Sequence, residues 1–152
     1  MKNHKNKSID ILLVEDNFAD IRLTQEVFKD GELRKTLNVA RDGEEAMNYL
    51  RKKGKFSSAK TPDIVLLDLN IPKKDGRTVL TEIKTDTQLK CIPVIILTTS
   101  SDKDDIQYTY SNYANCYILK PLDLSQFVNV VRSIEEFWLS IVKLPRVKIA
   151  TI

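Results

Sequence analysis

The chain has 152 residues, 42% of them hydrophobic and 30% charged, which is enough for one globular domain with a real core. No apolar stretch nears the roughly 20 residues of a membrane helix, and the opening MKNHKNKSID has no signal-peptide apolar segment, so the expectation is a cytoplasmic protein without a membrane partner. The net charge of +3 belongs to the tails, because residues 9–142 hold 18 basic against 21 acidic side chains; this distribution argues against nucleic acid as a partner.

A first apolar run, residues 9–14, ends in two acids, Glu15 and Asp16. Ala19, Leu23 and Val27 then recur at every fourth position, which predicts a helix to about Lys29, closed by Asp30 and Gly31. Residues 37–40 read as a short second strand. Asp42 and Gly43 turn it into a helix carrying Ala46, Met47 and Leu50, whose end Arg51, Lys52, Lys53 and Lys55 complement electrostatically. Residues 54–61 read as a polar loop. Ile64, Val65, Leu66 and Leu67 follow without alternation, as in a strand buried on both faces of a parallel sheet, and stop at Asp68. Pro72, Asp75 and Gly76 make the next turn, and Val79, Leu80 and Ile83 mark a third helix. Pro93 opens a fourth strand, 94–97, that ends in Thr98, Thr99 and Ser100. Ser101 or Asp102 can cap a polar fourth helix to about Ser111, and residues 115–119 form a fifth strand ending in Lys120 and Pro121. A fifth helix starts near Asp123, with Gln126 at capping-box spacing, and runs to about Val142.

Strand and helix thus alternate five times through short connections. The predicted fold is α/β and flavodoxin-like: a doubly wound (βα)5 parallel sheet in strand order 2-1-3-4-5. The predicted organisation is a basic tail over 1–8, one domain over 9–142 and a C-terminal tail over 143–152. Cys91 and Cys116 lack the CxxC spacing of a metal or redox pair.

Four of the five strands end in a residue that can do chemistry: Glu15 and Asp16, Asp68, Thr98, and Lys120. Parallel strands bring these ends to one edge, with Asp68 central in the predicted order. An Asp at such a place can also simply cap the following turn. Three carboxylates in one pocket repel one another unless a cation joins them, and an oxygen-only set favours a hard ion such as Mg²⁺. Thr98 and Lys120 are suited to phosphoryl oxygens, and Asp68 between them is placed as a nucleophile that can form an aspartyl phosphate.

Together LLVEDN, LLDLNIPKKDG, ILTTS and YILKP, in this order, resemble the response-regulator receiver domain of two-component signalling over residues 9–142. The resemblance implies that Asp68 is the phosphoacceptor for a sensor histidine kinase. It implies that Asp16, Asp68 and the main-chain carbonyl of Asn70 hold Mg²⁺, with Glu15 acting through water, and that Thr98 and Lys120 bind the phosphoryl group. Thr98 and Tyr117 would be the switch pair, although Tyr117 read by itself is an aromatic filling the core. The resemblance also implies a cis Lys120–Pro121 bond, where the sequence alone favours trans. IPKKDGRTVLTEIK, IPVIILTTS and FWLSIVKLP are similar to small regulators paired with bacterial phytochromes, best known from cyanobacteria, which makes a phytochrome the implied kinase. Thr99, where a small residue is usual, and the longer loop over 50–63 depart from the common receiver pattern.

Two functions compete. The leading expectation is a phosphorylation switch without an output domain, acting on an unidentified downstream protein. The alternative is a Mg²⁺-dependent phosphatase with an aspartyl nucleophile, but such hydrolases need an acid two residues further on, where this chain has Asn70. A homodimer is also expected. Phe127, Val131, Ile134, Trp138 and Ile141 repeat at four and three, while Val130, Phe137, Val142 and Leu144 widen the stripe beyond what one sheet face buries. The other outcome is that the last turns fold back on the domain's own flank. The phytochrome-regulator likeness favours pairing through this end, with Phe137, Trp138 and Ile141 in the interface.

Overall fold

The apolar runs form a single five-stranded parallel sheet, in the order β2-β1-β3-β4-β5. Its strands are β1 (Ile9–Val14), β2 (Lys35–Ala40), β3 (Ile64–Leu67), β4 (Val94–Thr98) and β5 (Cys116–Leu119). The helices between and after them are α1 (Phe18–Lys29), α2 (Gly43–Leu50), α3 (Gly76–Thr85), α4 (Lys103–Ser111) and α5 (Leu124–Ile134). The fold is the flavodoxin-like one expected. The computed structural model describes residues 8–31 and 33–146, so most of the basic N-terminal tail and residues 147–152 of the C-terminal tail lie outside the described residues.

Successive residues of a strand point to opposite faces, and here both faces are covered. Leu12, Val14, Val65, Leu67, Val94 and Ile96 pack on one side with Met47 and Leu50 of α2 and Val79, Leu80 and Ile83 of α3. Ile11, Leu13, Ile64, Leu66, Ile95 and Leu97 pack on the other with Ile21 and Val27 of α1 and Phe127, Val131 and Ile134 of α5. Each α-helix begins on an Asn or Asp whose carboxyl or amide oxygen accepts a first-turn backbone N–H: Asn17, Asp42, Asp75, Asp102 and Asp123. The sequence left Ser101 and Asp102 as alternative caps for α4, and Asp102 is the one used.

Two glycines bring the helices tight against the loop after β3. A Cβ on Gly43 would lie 1.9 Å from the Lys74 carbonyl oxygen, and one on Gly76 would lie 2.3 Å from that of Asp68. No side chain fits either place. Asp42 and Gly43 are thereby held at the foot of the loop that leaves Asp68, and Gly43 N–H donates to Pro72 O at 3.2 Å.

Three expectations change. The loop over 50–63 contains a 3-10 turn, Gly54–Phe56, and the Phe56 ring meets Tyr49 edge-on at 5.4 Å, so part of its extra length packs on α2. The Lys120–Pro121 bond is trans, since no peptide bond is cis among the described residues; this is the form that sequence alone favours and not the one the resemblance implied. The fifth helix does not continue as an α-helix to Val142. It changes at Glu135 into a π-helical segment, Glu135–Ile141, closed by a bond from Val142 N–H to Phe137 O at 2.9 Å. A π turn adds a residue per turn. After Ile134 the next buried side chain is therefore Leu139, five residues on, rather than Trp138.

The segment starts at Glu135, whose carboxylate bonds the Lys35 ammonium at the start of β2; the Lys35 side chain is 2% exposed and that of Glu135 16%. Removing one partner of a buried ion pair leaves the other charge stranded, at a cost of about 3–5 kcal/mol. Glu135→Ala is expected to lose about 3 kcal/mol of unfolding free energy, the low end because Glu135 is partly solvated. Urea titration against the parent measures it, and a loss below about 0.5 kcal/mol, the usual scatter of surface changes, would show that the pair does not hold the segment.

Candidate functional site

The carboxyl ends of parallel strands share an edge, and the last rungs of the ladder place the key residues there. Asp68 N–H donates to Val14 O at 3.0 Å, Glu15 N–H to Ala40 O at 2.9 Å and Lys120 N–H to Thr98 O at 2.7 Å. Each is thus the first residue beyond its strand, fixed to the strand beside it. Glu15, Asp68, Thr98 and Lys120 are buried; Asp16 and Asn70 are exposed.

Lys120 joins the acids. Its ammonium donates to Asp68 Oδ2 at 3.0 Å, to Asp20 Oδ2 at 3.0 Å and to Glu15 Oε1. Glu15 Oε2 accepts the N–H groups of Asp16 at 3.0 Å and Asn17 at 3.1 Å, and Asp68 Oδ1 accepts that of Asn70 at 3.2 Å. Burial pushes the Glu15 carboxyl above its ordinary value; the Lys120 hydrogen bond opposes this and the Asp68 charge reinforces it. Burial pulls the Lys120 ammonium down, but the Glu15 hydrogen bond and the charges of Asp68 and Glu15 overcome that and raise it. The acids around Lys120 thus favour its charged form.

Glu15, Asp16 and Asp68 each offer a carboxylate oxygen, all within 4.8 Å of one another. One lysine does not neutralise four neighbouring acids. The remaining negative charge and the oxygen-only donors suit a hard divalent cation. The residues fit such an ion, whose charge would offset that of an arriving phosphoryl group.

Thr98 and Tyr117 are not bonded to each other. Ser100 stands between them: its N–H donates to Thr98 Oγ1 at 3.4 Å, and its carbonyl accepts the Tyr117 hydroxyl at 2.7 Å. Ser100 Oγ also donates to Asp105 Oδ2 at 2.6 Å, and Asp105 takes two bonds of 2.6 Å from the Arg77 guanidinium. Those bonds, Arg77 first and Ser100 second, hold the Asp105 carboxyl below its usual range. Thr99 is exposed. Sequence reasoning missed Asp20 and Ser100. Asp20 is an acid in the first turn of a helix and Ser100 a hydroxyl after a strand, positions that carry no local signal of these contacts.

The expected dimer residues lie on the π-helical segment. Phe137 is 52% and Ile141 71% exposed; Trp138 is half-buried and meets Phe137 edge-on at 5.7 Å. Trp138 and Leu144 pack partly on the α1–α5 core, so the segment that carries them folds back in part on the domain's own flank.

Residues 11–132 match the response regulator receiver domain family. The chain is 46% identical over 145 residues to the response regulator Rcp1 of Synechocystis sp. (strain ATCC 27184 / PCC 6803 / Kazusa), covering 95% of this chain and 99% of that one. Its structure is similar to the crystal structure of the Mn(2+)-bound form of Rcp1, with a TM-score of 0.89, 47% identity and 90% and 99% of the two chains covered. It is also similar to the phosphorylated cyanobacterial phytochrome response regulator RcpA, with a TM-score of 0.90, 52% identity and 91% and 99% covered.

Replacing Asp16 by Ala removes one of the three clustered oxygens while leaving the buried Lys120 contacts intact. The parent is expected to melt higher in millimolar Mg²⁺ and the variant to show no shift, with a slightly raised metal-free melting temperature because one anion has gone. An unchanged Mg²⁺ shift in Asp16→Ala would remove Asp16 from the cation site.

Proposed function

Because the chain belongs to the response regulator receiver domain family, we propose that it is a phosphorylation switch with Asp68 as the phosphoacceptor. The observation that carries this is the Lys120 ammonium held 3.0 Å from the Asp68 carboxylate, at the centre of the sheet edge and against the acid cluster. In the proposed reaction an Asp68 oxygen attacks the phosphorus of a phosphohistidine on a sensor histidine kinase. The P–O bond forms as the P–N bond breaks, and the imidazole leaves with the electron pair. Asp16, Asp68 and the Asn70 carbonyl would hold Mg²⁺, with Glu15 in support, and the ion would supply positive charge against the phosphoryl oxygens. Lys120 and Thr98 bind the phosphoryl oxygens from the other side. The likeness to RcpA, a phytochrome response regulator, supports a phytochrome as the kinase; the cytoplasm is the proposed compartment.

The phosphatase reading is disfavoured, since Asn70 has no proton-donating acid to offer a leaving group. Acetyl phosphate with Mg²⁺ separates the two: a switch labels once and turns over slowly, a phosphatase releases phosphate continuously. Asp68→Asn is expected to abolish labelling while keeping the parent's circular dichroism; a variant that still labels would overturn the assignment.

The output is proposed to be a surface of the 9–142 domain, offered to a downstream protein as a symmetric homodimer. Phe137, Trp138 and Ile141 support it, together with a groove of about 340 Å³ lined by Ile118, Val130, Ile134, Phe137 and Trp138. The parent is expected to sediment as a dimer at tens of micromolar, and the double change Phe137→Glu with Trp138→Ala as a folded monomer. A monomeric parent would overturn the pairing.

A further inference from the structure

Lys120 has three N–H bonds and spends each on a different carboxylate: Glu15 at the end of β1, Asp20 in the first turn of α1 and Asp68 at the end of β3. These partners are not equivalent. Glu15 and Asp68 belong to the cluster whose oxygens converge within 4.8 Å, whereas Asp20 does not. A cation in that cluster competes with Lys120 for Glu15 and Asp68. Of the three carboxylates, Asp20 alone then keeps its full interaction with the ammonium.

We propose that Asp20 is a positioning residue for the phosphoryl transfer: it holds the Lys120 ammonium over Asp68, ready for the phosphoryl oxygens, when the cation has drawn the other two carboxylates away. The inference rests on the phosphoacceptor reading above. Its geometry comes from the helix. Asn17 caps α1 through a bond from Asp20 N–H to Asn17 Oδ1 at 3.0 Å, and the Asp20 carbonyl accepts Thr24 Oγ1 at 2.8 Å. The backbone of Asp20 is thus tied at both ends of the first turn. Its side chain, 23% exposed, comes from α1 rather than from the sheet edge. An ammonium on a flexible four-carbon stem needs such a fixed partner, because loss of alignment in a phosphoryl-transfer site costs rate directly.

The test is Asp20→Asn, which keeps size and helix cap and removes the charge. The probe is acetylation of Lys120 by an amine-reactive ester, followed by mass spectrometry of the peptide, with and without Mg²⁺. In the parent, Lys120 is expected to react slowly in both conditions. In Asp20→Asn it should stay slow without Mg²⁺, held by Glu15 and Asp68, and react about tenfold faster with it, the factor expected for one lost charge-assisted hydrogen bond. Phosphorylation by acetyl phosphate should fall by about the same factor, with the Mg²⁺ melting shift retained. A merely structural role would speed labelling equally with and without the ion, and that result overturns the proposal, as does labelling equal to the parent in both conditions. Should the variant fail to fold, the parent decides by NMR: the Lys120 ammonium protons stay slow to exchange on adding Mg²⁺, and their loss overturns the proposal. Failure of the parent to label at Asp68 would instead count against the phosphoacceptor reading, because the amine-reactivity pattern does not depend on it.

Discussion

A single ammonium group buried among carboxylates is the interaction on which the rest of this structure depends. Taking Lys120 and the acids around it out of water costs several kcal/mol for each ion, a cost that only close, well-aligned pairing offsets. The alignment comes from three different elements, since Glu15, Asp20 and Asp68 follow β1, begin α1 and follow β3. The ion cluster is therefore a tertiary clasp as well as a site. Its charge does not balance: with Asp16 beside it, four acids face one lysine, and the excess is what a divalent cation answers.

The sheet supplies the precision. Asp68, Glu15 and Lys120 each donate a backbone N–H to the neighbouring strand's last carbonyl, so their Cα positions are fixed by the ladder and not by loops. The loops are then pressed onto that edge by glycine. Gly76 sits so close to the Asp68 carbonyl, and Gly43 to that of Lys74, that a methyl group at either place would displace the chain leaving Asp68. A motif that reads as turn composition is, in three dimensions, a limit on how far the Asp68 backbone can move.

Most of this arrangement was legible in the sequence for one reason: Glu15, Asp68, Thr98 and Lys120 each close an apolar run. The runs at 11–14, 64–67 and 94–97 are long and unbroken enough to be buried strands, and the residues that close them must lie at one edge. The features that were not legible depend on direction in space. Asp20 is a helix-start acid by its neighbours in sequence and a lysine partner only because the first turn of α1 comes within reach of the Lys120 ammonium. Lys35 and Glu135 are one hundred residues apart and carry no local signal of pairing. The stripe beyond Ile134 was extended at the α period through Trp138 and Ile141, which the sequence reading placed in a dimer interface. The π-helical segment shifts the buried line to Leu139 and leaves Ile141 in solvent. Hydrophobic spacing carries no warning of a change in hydrogen-bond period, because Phe137, Trp138, Leu139 and Ile141 are all apolar and any of them suits a core.

The same consideration bears on how an event at Asp68 reaches the surface. Thr98 is wholly buried, so a phosphoryl oxygen that draws its hydroxyl disturbs a bond already in place, the one from Ser100 N–H. Ser100 cannot respond alone. Its carbonyl holds the Tyr117 hydroxyl, and its own hydroxyl holds Asp105, which the Arg77 guanidinium ties to the start of α3. One residue thus links the pocket to β5, to α4 and to α3 through three separate polar groups. Packed cores shift between discrete arrangements more readily than they deform smoothly. A displacement of Ser100 must therefore carry Tyr117 and the amino-terminal turn of α4 together or break the bonds to them. In either case the surface that changes is the one formed by α4 and β5. Tyr110 already belongs to it, its exposed hydroxyl accepting the Tyr117 N–H at 3.2 Å.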